Sequence, residues 1–226
     1  MKNKIIKSLT SILVFTLYYT FPYISYFVMD ILNINLKSLN KIAVLLFIYL
    51  LEIIPLLFLI IVYKEDLKKE FKIYKDSFKE NIDNYIRLWL VALILMTLSN
   101  SIINIFTGNI ISKNETAVRD IANSLPIYSI FITCLFAPLG EELAYRKTIG
   151  NIFKNKKVAI IMSGLIFGLA HVIGTYTKLL DLVYVIPYGL FGCVFMYMYL
   201  NSKTIWSTIS IHFLHNTLLI ILYFLR

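Results

Sequence analysis

The sequence predicts an all-α fold, a polytopic membrane helical bundle of about seven transmembrane helices with the N-terminus inside and the C-terminus outside. Three observations carry this. Hydrophobic residues fill 59% of the 226 positions, more than a water-soluble domain of this size can hold without exposing large apolar patches. The apolar residues gather into seven runs close to the length of about 20 residues that a bilayer-crossing helix needs. The charges fall between those runs, and sixteen of the 22 lysines and arginines lie on one side when the spans alternate from an inner N-terminus, in line with the positive-inside bias. The same placement assigns the formal net charge of +9 to a bilayer rather than to nucleic acid, so no nucleic-acid partner is expected.

Taken in order, the first run, 8–29, follows the basic residues Lys2, Lys4 and Lys7. It is too long for a signal-peptide core and no small-x-small cleavage site follows it, so it reads as a retained helix. The second run, 42–63, carries Glu52 beside Pro55, and Glu52 is open to two readings, cavity lining or a hydrogen-bonded structural group. Over 64–83, Leu67, Phe71, Tyr74, Phe78 and Ile82 recur at helical spacing among lysines and acids. That pattern predicts an amphipathic connector resting on the inner membrane surface. The remaining runs are 88–106, 125–144, 158–174, 182–200 and 205–225, with a polar outer segment over 107–124. Outer charges are Lys37, Lys41, Lys113, Arg119, Lys178 and Arg226; Arg146 and Lys147 count with the inner set, and Asp181 is expected to be solvated in an outer loop. With no internal repeat or linker, residues 1–226 read as one integral-membrane domain, with N-terminal helices and the amphipathic loop over 1–124 and chemistry-bearing helices over 125–226. Cys134 and Cys193 both lie in apolar runs and read as small packing residues rather than a disulfide or metal pair.

Ionisable groups are costly inside a bilayer and mark function when they occur there. Three motifs within the apolar runs hold all three histidines: Glu141-Glu142-x-x-x-Arg146, Phe167-x-x-x-His171 and His212-x-x-x-Asn216. Neighbouring helical residues point about 100° apart, so the two glutamates cannot share a direction. Glu142 and Arg146, four apart, stack on one face, which leaves Glu141 as the free carboxylate; an interfacial Glu–Arg pair without chemistry is the plain alternative. Pro138 and Gly140 just before the pair can loosen the helix and open backbone groups to a cavity. Phe167 lies one turn before His171 and can wall its pocket, and Gly164, Gly168 and Ala170 permit close helix approach. The alternative for His171 is a hydrogen-bonded packing histidine. His212 and Asn216 share a face and can both donate to an oxyanion. His215 could sit at the edge of that face, with an interhelical hydrogen-bond ladder as its alternative. Tyr184, Pro187, Tyr188, Gly189 and Gly192 make the sixth run irregular and closely packable.

In this order, on three helices with one span intervening, the motifs resemble those of the CAAX-protease and bacteriocin-processing family of intramembrane proteases, also called CPBP or Abi, whose members carry EExxxR, FxxxH and HxxxN/D motifs. The resemblance covers 125–225. It implies an endopeptidase acting on a membrane-associated, prenylated or leader-type peptide. It implies Glu141 as the base that activates water, Arg146 closing the motif around Glu142, His171 assisting with the same water, and His212 and Asn216 holding the oxyanion. The family's chemistry has two readings, one with a metal and one with a glutamate-activated water alone. Glu141, His171 and His212 could supply three ligands to Zn2+ and leave an open position. Asn216 as an oxyanion donor favours the reading without a cofactor.

Two other functions use the same polar residues. A small transporter would relay protons through them, but shows as paired inverted repeats, which this sequence lacks. A non-catalytic immunity or scaffold protein would bind a peptide without cutting it. Richness in Lys, Ile and Asn suggests a bacterial cell membrane. If Arg146 marks the inner boundary, Glu141 lies near it, whereas His171 lies about 20 Å along its helix from Lys157. The two then meet only through a tilt, a cytoplasmic foot over 150–157, or a deep inner-facing cavity, and cleavage is expected near the cytoplasmic face.

Overall fold

Apolar length and end-capping set the elements of the computed structural model, which describes residues 2–34, 40–108 and 111–225. Met1, Lys37 and Arg226, used above in the reading of the ends and charges, lie outside the described residues, as do 109–110 of the outer segment. The helices are α1 (Lys2–Ile31), α2 (Lys41–Thr107), α3 (Lys113–Ser124), α4 (Pro126–Ile152), α5 (Lys156–Ile173), α6 (Val185–Ser202), entered through a 3-10 turn at Leu179–Tyr184, and α7 (Ile205–Phe224). Among the described residues there is no strand, and six helices, all but α3, are long and apolar enough to cross a bilayer. Starts follow capping chemistry: Asn40 accepts from Ala43 N at 2.8 Å, Ser112 from Glu115 N at 3.1 Å, and Asn155 from Lys157 N at 2.9 Å. At the end of α2, Gly108 takes the left-handed conformation (φ +68°) that glycine adopts without strain.

α2 differs from the expectation of two spans joined by a separate surface helix. It is continuous over 67 residues. Yet Glu52 and Met96, 44 positions apart, line one cavity; a straight helix would hold them about 66 Å apart. α2 therefore doubles back, and its two apolar arms make the seven runs compatible with six helices. The polar middle does not simply rest on headgroups. Tyr63 Oη bonds Thr148 Oγ1 at 2.9 Å, Asp66 meets Lys7 at 3.2 Å and Lys147 at 2.8 Å, and Lys147 also donates to Glu70. Glu70 accepts from Ile205 N at 2.7 Å, capping α7, while Thr204 Oγ1 donates to the Glu70 carbonyl at 2.8 Å. Trp206 Nε1 donates to the Leu67 carbonyl at 3.0 Å. Donors inserted at backbone carbonyls in this way are a recognised cause of helix bending where proline is lacking.

α4 carries two π-helical stretches, Ile132–Phe136 and Glu142–Thr148, on either side of a short α-turn, Ala137–Glu141. Pro138 has no N–H to give, so the Thr133 carbonyl, five residues earlier and its partner in a π register, loses its donor. Such turns concentrate at functional sites. The helix stays buried past the glutamates, with Arg146 0% and Lys147 4% exposed. Arg146 thus does not mark the inner boundary, and neither residue is a loop charge. The chain runs on to Ile152 before turning over 153–155, which removes most of the offset that the sequence placed between Glu141 and His171.

α5 and α6 cross closely. A Cβ on Gly168 would lie 2.5 Å from the Val185 carbonyl, and one on Gly164 would lie 2.3 Å from Cys193 Sγ. Gly189 and Gly192 face the same crossing, so packing explains them. Asp181, expected to be solvated, is buried: its Oδ2 accepts from Thr177 N at 2.9 Å, Thr177 Oγ1 at 3.0 Å and Lys178 N at 3.2 Å. The loop folds over it because those donors need an acceptor at the start of the 3-10 turn.

Candidate active site

All six residues singled out from the sequence meet at one place, on α4, α5 and α7. Glu142 and Arg146 are both fully buried, with Arg146 Nε 3.2 Å from Glu142 Oε2. The guanidinium carbon also lies 4.4 Å from the centre of the Phe167 ring and 5.7 Å from that of Phe195, so aromatic faces take the place of water around the cation. The other Glu142 oxygen, Oε1, lies 2.8 Å from His212 Nδ1. Sequence spacing could not show that bond, because 70 residues separate the partners.

Glu141 differs from its neighbour. Its side chain is 20% exposed against 0% for Glu142, and it lines a cavity of about 330 Å³. Its Oε2 lies 4.0 Å from His171 Nε2 and 3.9 Å from His212 Nε2. The opposite ring nitrogens are both engaged. His171 Nδ1 lies 2.9 Å from the Phe167 carbonyl and His212 Nδ1 lies 2.8 Å from the Glu142 carboxylate. Both partners accept, so each Nδ1 donates and each ring turns its Nε2 toward Glu141. His171 is held between aromatic rings, with centroids 4.2 Å from Phe167 and 4.7 Å from Tyr188. Tyr188, read from the sequence as packing first, also lines the cavity and bonds Ser112 Oγ at 2.8 Å.

Asn216 Nδ2 donates to the Thr133 carbonyl at 2.7 Å, the group that Pro138 leaves without a partner. One amide N–H is thereby spent on orienting the side chain, and the second is left for the cavity, which Asn216 lines. His215 accepts from Trp89 Nε1 at 3.3 Å through Nδ1 and packs 4.8 Å from Phe191, ring centre to ring centre. Its neutral ring then carries the proton on Nε2. It lines the cavity too, so a hydrogen bond to Trp89 and a place at the site coexist. Glu52, Tyr18 and the α3 residues Asn114, Glu115 and Arg119 complete the polar lining. No sequence signal marked the α3 residues as neighbours of the site.

The cavity's walls run to α3 and to Leu219, Ile220 and Tyr223 at the far end of α7. His171 sits two residues from the end of α5 and so about 22 Å along it from Lys156. The site therefore lies away from the lysine-rich end of the bundle, not near it as the sequence suggested. The family model of type II CAAX prenyl endopeptidase Rce1-like proteins matches residues 123–218, the stretch that holds all six residues. The match takes in less than half of the chain, and it is this stretch that is similar to the family.

Curated relatives agree. YdiL of Bacillus subtilis (strain 168), a membrane protein provisionally named a peptidase, is 30% identical over 114 residues, 49% of this chain and 43% of YdiL. The membrane-embedded CAAX protease MroQ of Staphylococcus aureus (strain USA300) is 33% identical over 141 residues, 58% of this chain and 53% of MroQ. The UPF0177 protein YxdF of Lactococcus lactis subsp. lactis (strain IL1403) is 27% identical over 130 residues, 55% of this chain and 70% of YxdF. The matched part spans about half the length of YdiL and MroQ. No solved structure matches the chain. With its apolar helices and these bacterial relatives, the chain is a multi-pass integral membrane protein.

Proposed function

We propose that the chain is an intramembrane endopeptidase in which Glu141 activates a water held with it by His171 and His212. The observation that supports this most is the convergence of two imidazole Nε2 atoms on one carboxylate oxygen, at 4.0 and 3.9 Å. Both gaps are too long for a direct hydrogen bond, yet short enough for one water to donate one proton to Glu141 and the other to the Nε2 of His171, with a protonated His212 Nε2 donating to the water oxygen. In the reaction Glu141 takes a proton as the water oxygen attacks the peptide carbonyl. The free N–H of Asn216 stabilises the oxyanion, joined by His212 when its Nε2 is protonated. Glu141 then returns the proton to the leaving amine as the carbon–nitrogen bond breaks. Glu142 and Arg146 are positioning residues, since neither reaches the substrate.

Two imidazoles and a carboxylate also suit zinc by chemistry. Among the described residues, however, no group of three such side chains is gathered closely enough to hold a metal ion, and the steps above use none. The substrate class proposed is a membrane-associated peptide of leader or lipidated type, offered from the end of the bundle where α3 covers the cavity. With the lysine-rich end inside, that is the outer half of the bilayer.

The test is cleavage of a quenched-fluorescent library of apolar peptides by detergent-solubilised protein. Glu141→Gln is expected to lower kcat about 10²- to 10⁴-fold, and full activity is expected in a chelator. Cleavage that survives Glu141→Gln removes the base. Activity lost to chelator and restored by zinc replaces the metal-free step.

A further inference from the structure

Glu52 lies in the first apolar arm of α2, where a carboxylate is costly and is normally paired within the protein. Its side chain makes no hydrogen bond or ion pair among the described residues, although it is exposed. It lines the cavity that holds Glu141, and with Tyr18 it also lines a second cavity of about 350 Å³ between α1, the first arm of α2 and α5. Tyr18 joins the two spaces, for a Cβ on Gly140, next to Glu141, would lie 3.0 Å from its hydroxyl. The second cavity is rimmed by four tyrosines, with Leu51, Ala170, Pro22 and Pro55 as its apolar patches. Among the residues lining the two cavities the one Lys or Arg is Arg119, and Glu115 holds it at 2.8 Å. Two carboxylates, Glu52 and Glu141, thus face connected space without a free cation.

We propose that Glu52 is a specificity subsite that binds a lysine or arginine side chain of the peptide beside the scissile bond, with the second cavity taking the apolar residues that follow. The inference rests on the protease reading of Glu141. Its logic is complementarity: an unpaired acid in an apolar wall finds its counter-charge in the ligand. Glu52 cannot be its own reason for being there, since a glutamine or leucine would sit in the same wall at lower cost.

Binding is measured separately from cleavage. A fluorescent apolar peptide with one lysine walked along its length, and a leucine control, are titrated onto Glu141→Gln protein in lipid nanodiscs. One lysine register is expected to bind about tenfold or more tightly than the control. Glu52→Gln in the same background should abolish that gain while keeping leucine-peptide binding, and Glu52→Lys should favour a glutamate in that register instead. A gain that survives Glu52→Gln, the absence of any favoured register, or equal loss of both peptides would overturn the subsite. Cleavage of the same peptides by protein with Glu141 intact is read in parallel. A favoured register without cleavage keeps the subsite and removes the protease reading, and cleavage without a favoured register does the reverse.

Discussion

Glu142 has no contact with water, yet it holds both Arg146 and His212. Replacing Arg146 by Met would leave a buried carboxylate with an imidazole and the Thr208 hydroxyl beside it but no guanidinium. Breaking a buried pair costs about 3–5 kcal/mol, so the melting temperature of Arg146→Met in detergent should fall sharply, and adding Glu142→Gln should recover part of it. Asn216 has two tasks on one amide group. Asn216→Ala should lose about 1–3 kcal/mol, because the Thr133 carbonyl is left bare. It should also lose about 10²- to 10³-fold in kcat through the missing oxyanion donor. Thermal unfolding and steady-state kinetics on one preparation separate the two. At this scale the sequence was readable where both partners share a turn: the 100° step between Glu141 and Glu142 assigns Arg146 to the second. It was silent where partners are distant in the chain, as with His212 and Glu142, Trp89 and His215, or Asn216 and Thr133.

Among the elements, α4 and α7 are aligned by a clamp at their lysine-rich ends. Glu70 grips Lys147, the residue after Arg146, and also caps Ile205, two turns before His212. Glu70→Ala removes both contacts, whereas Glu70→Gln keeps a carbonyl for the cap. Loss of an N-terminal cap costs about 0.5–2 kcal/mol, so Ala should destabilise more than Gln in thermal unfolding. At the α5–α6 crossing, Gly168→Ala would push a methyl to 2.5 Å from the Val185 carbonyl and should cost about 1–3 kcal/mol. Element number and type were legible because apolar runs and caps are local signals. The course of α2 was not: charge and periodicity over 64–83 suggested a surface connector, while the side chains that clamp it come from α1, α4 and α7.

For the molecule as a whole, the lysine-rich end and the cavity end lie on opposite sides, so orientation decides where substrate is met. With Cys134 and Cys193 replaced by serine, cysteines at Lys203 and Lys113 report the two ends. An impermeant maleimide on intact cells should label the cysteine at 113 and should reach that at 203 only after permeabilisation; the reverse pattern would turn the cavity to the cytoplasm. The sequence placed chemistry near the inner face because it read Arg146 and Lys147 as boundary charges. Burial of both, paid for by Glu142, Phe167, Asp66 and Glu70, is a tertiary fact that charge counting cannot see.

In the proposed reaction Glu141, with His171 and His212, directs one water at a peptide bond. Cleavage of a membrane peptide in H2-18O, read by mass spectrometry of the new carboxyl terminus, tests it directly. One 18O atom is expected in the product of the wild-type protein, and almost no product from Glu141→Gln. Undiminished labelled product from Glu141→Gln would contradict it.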